Sequence, residues 1–276
     1  MTPWLEIRRG NAPLLVSFPH SGTEIVRRLE GRFVSPWLAR KDTDWWIDRL
    51  YGFAGDLGAT TVRTSVSRSV IDVNRDPSGA SLYPGMATTE LCPTTTFDGE
   101  PLYRPDDMPG GEEITSRRST WFDPYHNTLA EEVARLRRVH PIVVLYDAHS
   151  IRSTIPRLFD GELPHFNIGT NSGASCSNAL AEAVRNVCCT GSASTALNGR
   201  FKGGWTTRRY GRPEAGVHAI QMELSCRAYL REPTVVTPRS WPVPFDATYA
   251  APASKVLGRA LRACLAFAQD LNGANR

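Results

Sequence analysis

The 276-residue chain has no apolar run approaching the roughly 18–20 residues that span a bilayer, so no transmembrane segment is predicted. Its opening residues, Met1 to Arg9, carry no apolar core of a secretory signal, and a cytoplasmic protein is expected. None of the six cysteines falls in a Cys-x-x-Cys pair, which removes the zinc-ribbon and dithiol-redox readings. Most of Cys92, Cys176, Cys188, Cys189, Cys226 and Cys264 read instead as small core residues of a reducing compartment. A basic tract is also missing. The net charge is +4, and arginine pairs such as Arg8–Arg9, Arg27–Arg28 and Arg208–Arg209 are scattered, so nucleic acid is not an expected partner. Neither Gly-x-x-x-x-Gly-Lys-Ser/Thr nor Gly-x-Gly-x-x-Gly occurs, which disfavours nucleotide chemistry, and Lys202-Gly203-Gly204 resembles a phosphate loop only superficially. With no internal repeat and no linker-like stretch, residues 1–276 read as one domain.

Two apolar runs end in histidine. Pro13 to Phe18 leads into Pro19-His20-Ser21-Gly22, and Pro141 to Tyr146 leads into Asp147-Ala148-His149-Ser150. Short runs of this kind are typical of buried strands of α/β proteins, whose ligands bind beyond the carboxyl ends of the sheet. Further strands are predicted at 60–64, 69–73, 165–170 and 217–224. Helices are predicted after Ser35-Pro36, after Asp42-Thr43-Asp44, over 121–139, over 175–188 and over 246–270. Alternating elements imply an α/β fold with helices on both faces of the sheet. Residues 77–118, rich in Pro, Gly, Thr and Asp, read as a long functional loop, a lid or a rim of the site.

Two strand-end histidines suggest one shared divalent metal, although each alone would pass for a hydrogen-bonded turn residue. A catalytic zinc takes three protein ligands and leaves a position for water. Asp44, Asp42 and Glu24 compete for the third place, with Asp44 preferred. Asp147, two residues before His149, would share its strand face and could orient it. Glu223 ends an apolar strand, where burial raises a carboxylate pKa and suits it to proton transfer. Asn74-Arg75 and Arg208 could grip carboxylates. His126 is a further candidate proton donor or oxyanion stabiliser.

Several of these residues lie in ordered motifs: Pro19-His20-Ser21-Gly22, Asp42-Thr43-Asp44-Trp45, Val73-Asn74-Arg75-Asp76-Pro77, Pro124-Tyr125-His126, Asp147-Ala148-His149-Ser150, Phe201-Lys202-Gly203-Gly204-Trp205 and Gln221-Met222-Glu223-Leu224. Over nearly the whole chain this set resembles the N-formylglutamate amidohydrolases, also called N-formylglutamate deformylases. The resemblance implies a three-layer α/β/α mixed sheet of the phosphorylase/hydrolase-like kind, similar to the zinc carboxypeptidases. It also implies release of formate and L-glutamate from N-formyl-L-glutamate, in histidine degradation, with one divalent ion, zinc, as cofactor. By the same resemblance His20, Asp44 and His149 hold the metal and Glu223 is the general base, with His126 next in line. Asn74, Arg75, Arg208, Lys202 and Gly204 then meet a small anionic substrate. One departure from the carboxypeptidase pattern is Thr23, where a His-x-x-Glu turn would place its glutamate. The competing readings are the same chemistry on another N-acyl amino acid or a cell-wall amide, and a metal-free carboxylate-binding protein.

Overall fold

The computed structural model describes residues 4–274. Seven strands form one sheet: β1 (Leu5–Arg8), β2 (Leu14–Phe18), β3 (Thr60–Thr64), β4 (Val143–Ile151), β5 (Phe166–Gly169), β6 (Thr195–Leu197) and β7 (Val217–Ser225). Their order is β1-β3-β2-β4-β7-β5-β6. The centre, β3-β2-β4-β7, is parallel, while β1 runs antiparallel to β3 and β5 antiparallel to β7. The sheet is therefore mixed, with its parallel strands in the middle.

Successive strand residues face opposite sides of a sheet, and here that alternation builds two cores. Leu14, Val16 and Phe18 of β2, Val144, Tyr146 and Ala148 of β4, and Ile220, Met222 and Leu224 of β7 share one apolar cluster. It is covered by α2 (Ile47–Leu50), α5 (Asn178–Cys188) and α7 (Ala247–Ala274), all of which contribute to it after the short surface helix α1 (Arg27–Glu30). On the other face Leu15, Val62, Val143, Leu145, Val217 and Ala219 pack with Leu129, Val133 and Leu136 of α4 (Asp123–Arg137). Ile114 of α3 (Gly111–Arg117) and Trp205 and Tyr210 of α6 (Trp205–Tyr210) lie against this second core.

The second face changes character along each strand. Leu15 is followed by Ser17, Val143 and Leu145 by Asp147 and His149, and Val217 and Ala219 by Gln221 and Glu223. The register aligns Ser17 with Asp147, Asp147 with Gln221, and His149 with Glu223. Buried polar side chains thus collect at the carboxyl ends of three adjacent parallel strands.

Several elements depart from the sequence expectation. Residues 69–73 form turns rather than a strand, because their backbone polar groups bond locally and to loops: Asp72 N–H donates to Leu91 O, and Asn74 N–H to the Asp72 carboxylate. The long loop ends at 110, since α3 starts at Gly111 and runs through a π-helical turn (Arg118–Phe122) into α4. The helix after Ser35 is a 3₁₀ turn, Leu38–Arg40, with Ser35 Oγ accepting from Leu38 N–H at 3.0 Å. Edge strands β1 and β6 carry too few residues to stand out by pattern. Among the described residues no helix is long and apolar enough to cross a membrane.

Candidate active site

His20 follows β2 across Pro19. Gly22 keeps this turn tight, since a Cβ there would lie 2.4 Å from Ser65 C and Val66 O. The Asp44 N–H donates to His20 O at 3.0 Å, fastening the second turn to the first. The chain then reverses through Trp46, which adopts a left-handed φ of 64°. For a bulky side chain this conformation costs roughly 1–3 kcal/mol and persists only where packing holds it. His149 reaches the same place from β4.

The three side chains converge. His149 Nδ1 lies 3.1 Å from His20 Nδ1 and 3.2 Å from Asp44 Oδ2, and His20 Nδ1 is 3.7 Å from that oxygen. Each ring is fixed from behind. His20 Nε2–H donates to Asp72 Oδ1 at 2.6 Å, and His149 Nε2–H to Asp147 Oδ2 at 2.8 Å. These bonds set the tautomers and turn both Nδ1 lone pairs toward Asp44. Two facing lone pairs and a carboxylate oxygen, with relative exposures of 3, 2 and 0%, repel one another unless a cation sits among them. A tetrahedral ion with ligand distances of about 2.0–2.1 Å spaces its donors about 3.3–3.4 Å apart, which the triangle matches. The residues fit a divalent metal. The rival third donors lie elsewhere: Glu24 is exposed, and Asp42 accepts from Arg152 at 3.2 Å and from Phe97 N–H at 2.6 Å.

The surrounding charges reinforce the triangle. Burial pushes Asp44 toward its neutral form, but the adjoining imidazoles of His149 and His20 outweigh it and hold its pKa below the ordinary carboxylate value. Asp72 is likewise held down against burial by Arg75, His20 and Arg68. Burial disfavours a charged His149, yet Asp147, Asp44 and Glu223 outweigh it and raise its pKa well above the usual 6.5. Glu223 goes the other way. Burial raises its pKa to about 7, partly offset by His149. Its Oε2 accepts from Gln221 Nε2 at 2.9 Å, and Gln221 Oε1 accepts from Gly204 N–H at 2.7 Å.

A cleft with about 580 Å³ of empty space opens on His20, His149 and Glu223. Its other walls include Arg68, Arg75, Arg200, Tyr83 and Phe97. Arg75 lines it, braced by Thr89 through Nε to the carbonyl and Nη2 to the hydroxyl, both at 3.0 Å. Asn74 and Gly204 line it too, but the Asn74 amide is spent internally: Nδ2 donates to Asp147 Oδ2 at 3.1 Å and Oδ1 accepts from Thr206 N–H at 2.8 Å. Gly204 is needed for closeness, since a Cβ there would meet the Asn74 amide at 2.4 Å.

Three candidates fall outside the cleft lining. Lys202 is exposed. Arg208 bonds the Gly203 carbonyl at 3.1 Å and stacks on Tyr83. His126 Nε2–H donates to Val73 O at 2.7 Å, its Nδ1 lies 3.1 Å from Tyr210 Oη, and burial lowers its pKa to about 4. It clamps the segment leading to Asn74 rather than facing the cleft. The sequence alone does not single out Asp72, Arg68, Gln221 or Arg200. A lone carboxylate inside Val70-Ile71-Asp72-Val73 was the available signal for the first, and tertiary contacts alone distinguish Arg200 from its neighbours.

A family model described as N-formylglutamate amidohydrolase matches residues 12–230. The chain is 49% identical over 229 residues to the N-formylglutamate deformylase of Pseudomonas aeruginosa, covering 83% of this chain and 86% of that protein. It is 44% identical over 267 residues to the N-formylglutamate deformylase of Pseudomonas putida, covering 96% and 97%. The fold is similar to the crystal structure of N-formylglutamate amidohydrolase from Ralstonia eutropha JMP134, with TM-score 0.76 and 22% identity over 96% of this chain and 98% of that one. A gene product of Agrobacterium tumefaciens shares it at TM-score 0.67 and 17% identity, over 94% of each chain. The chain belongs to the N-formylglutamate amidohydrolase family.

Proposed function

We propose that this protein is a metal-dependent amidohydrolase that converts N-formyl-L-glutamate and water to formate and L-glutamate. The observation that carries the reading is the buried triangle of His20, Asp44 and His149, with Glu223 paired directly against His149 in a cleft lined by arginines. The names of the two Pseudomonas relatives supply the substrate.

A divalent ion held by His20, Asp44 and His149, zinc by the donor set, would supply Lewis acidity toward the formyl oxygen and the attacking water. Asp72 and Asp147 hold the two imidazoles in the tautomer that offers Nδ1. Glu223 takes a proton from the water as its oxygen bonds to the formyl carbon. The same carboxyl returns that proton to the amide nitrogen as the C–N bond breaks, and the water's second proton also ends on the released amine. Gln221, donating to Glu223 Oε2, keeps the carboxylate aimed between the reacting atoms. Arg75 binds a substrate carboxylate, so that the small formyl group is delivered in one orientation.

A place in histidine degradation, a cytoplasmic location and one catalytic unit over residues 1–276 belong to the same reading. Six free cysteines, five of them buried, support the location, and a single sheet that takes every named strand supports the one unit. The likeness to zinc carboxypeptidases belongs to the same reading, and the parallel centre and the site beyond its carboxyl ends speak for it. The test is chromatographic identification of formate and L-glutamate after incubation with N-formyl-L-glutamate. Absence of both products under metal-replete conditions would reject the reading.

A further inference from the structure

Three arginines line the cleft, and they are not equivalent. Arg68 donates to Asp72 Oδ2 at 2.7 Å and approaches Asp44 Oδ1 at 3.4 Å. Arg75 lies 3.5 Å from Asp72 Oδ2. Both are tied to the carboxylates behind the metal triangle, so their charge is already partly balanced. Arg200 has no carboxylate within 4.0 Å among the described residues. Its Nε donates to Leu158 O at 2.8 Å and its Nη2 to Ala87 O at 3.1 Å. Carbonyls fix its direction without neutralising it, and Nη1 has no protein partner there. Aromatic faces flank the guanidinium, Phe201 at 5.1 Å and Tyr83 at 5.5 Å from their ring centres.

A half-buried cation without a counter-ion is costly unless an anion arrives. Burial accordingly lowers the Arg200 pKa, with Tyr83 and Glu223 opposing. The two kinds of arginine also differ in position. Arg68 and Arg75 belong to the network that includes His20, Asp44 and Asp72, whereas Arg200 hangs from the Leu158 and Ala87 loops and bonds none of those residues. In an N-formyl amino acid with an acidic side chain, the α-carboxylate is close to the scissile bond. The side-chain carboxylate lies further out.

The geometry points to Arg200 as the specificity-determining residue of this cleft: it receives the side-chain carboxylate of the substrate, while Arg75 serves the α-carboxylate near the metal triangle. This rests on the amidohydrolase reading above and adds to it the selection of acidic over neutral N-formyl amino acids. Nη1 and the open edge of the guanidinium form a charge-assisted contact that a side-chain amide forms only weakly. The substrate carboxylate supplies the missing counter-ion, with the Tyr83 and Phe201 rings excluding water from the pair.

The test compares the metal-loaded wild type with Arg200→Met and Arg200→Lys. Two readings are taken: kcat/KM for N-formyl-L-glutamate against N-formyl-L-glutamine, and calorimetric affinity for L-glutamate against L-glutamine. Circular dichroism and the thermal midpoint establish that each variant is folded. In Arg200→Met the glutamate-over-glutamine ratio falls about 10- to 100-fold in both readings, and Arg200→Lys retains much of it. Ratios unchanged in a folded Arg200→Met overturn the inference, and so does a variant that loses both substrates in proportion. If the wild type turns over neither substrate, the amidohydrolase reading fails by itself. The subsite then stands or falls on whether the glutamate binding preference disappears in Arg200→Met.

Discussion

His149 and Glu223 face each other across the parallel pairing of β4 and β7, on the same side of the sheet and both buried. The proposed metal ligand and the proposed proton carrier are therefore held by two neighbouring strands. Burial keeps the Glu223 pKa at about 7, while the carboxylates around His149 raise its own well above the usual value. The pair sets the chemistry that follows.

Glu223→Gln preserves shape and removes the proposed proton carrier. Turnover of N-formyl-L-glutamate is expected to fall by about 10²–10⁴-fold, with metal content by elemental analysis unchanged. Activity within a few-fold of wild type would move the base to another residue.

The same substitution reports on burial of charge in the metal-free protein. Glu223 has a folded pKa of about 7 against a usual 4.5, so the folded state favours its protonated form. That contribution to stability is complete below about 4.5 and is lost as pH rises through about 7. Glu223→Gln, which never ionises, is expected to be more stable than wild type at pH 8 by on the order of 2–3 kcal/mol, and close to it at pH 4.5. Urea denaturation of chelated protein at both pH values checks this.

Asp147→Asn and Asp72→Asn remove the negative charge of the acceptors behind the two imidazoles. Each is expected to weaken metal affinity by about 10–100-fold in competition with a chromophoric chelator. Asp72→Asn is also expected to destabilise the fold by about 3–5 kcal/mol, because Asp72 is the carboxylate partner of buried Arg68. Unaltered affinity in both variants would mean that the carboxylate charge behind the rings does not strengthen the metal site.

His126 is predicted to matter for stability rather than chemistry. Its pKa, lowered to about 4 by burial, means the folded protein resists protonating it. Stability from this residue is complete above about 6.5 and declines as pH falls toward 4. His126→Gln is expected to lose about 1–3 kcal/mol at neutral pH, and to unfold less steeply with acid than wild type. A shift of the pH–rate profile with no change in stability would return His126 to the proton-transfer path.

The carboxyl ends of β2, β4 and β7 were legible in the sequence because buried parallel strands read as unbroken apolar runs, and their last residues must then face a shared edge. His20, His149 and Glu223 are found there for that reason. The third donor was narrowed but not singled out by pattern: Asp42 and Asp44 share one motif, and only the Asp44 bond to His20 O and the Asp42 pairing with Arg152 separate them. The 69–73 segment has strand-like composition, but its hydrogen bonds go to the Asp72 carboxylate and to a loop carbonyl, which no local pattern reveals. Arg200 and Arg208 flank the same glycine pair, and their different partners across the chain decide which one meets the cleft.

The most direct test is a metal titration of chelated protein, followed by formate release from N-formyl-L-glutamate. Activity absent after chelation and rising in proportion to zinc or cobalt, up to one ion per chain, is the predicted result, with the rise abolished in His20→Ala and His149→Ala. Full activity in protein stripped of metal would contradict a metal role for His20, Asp44 and His149.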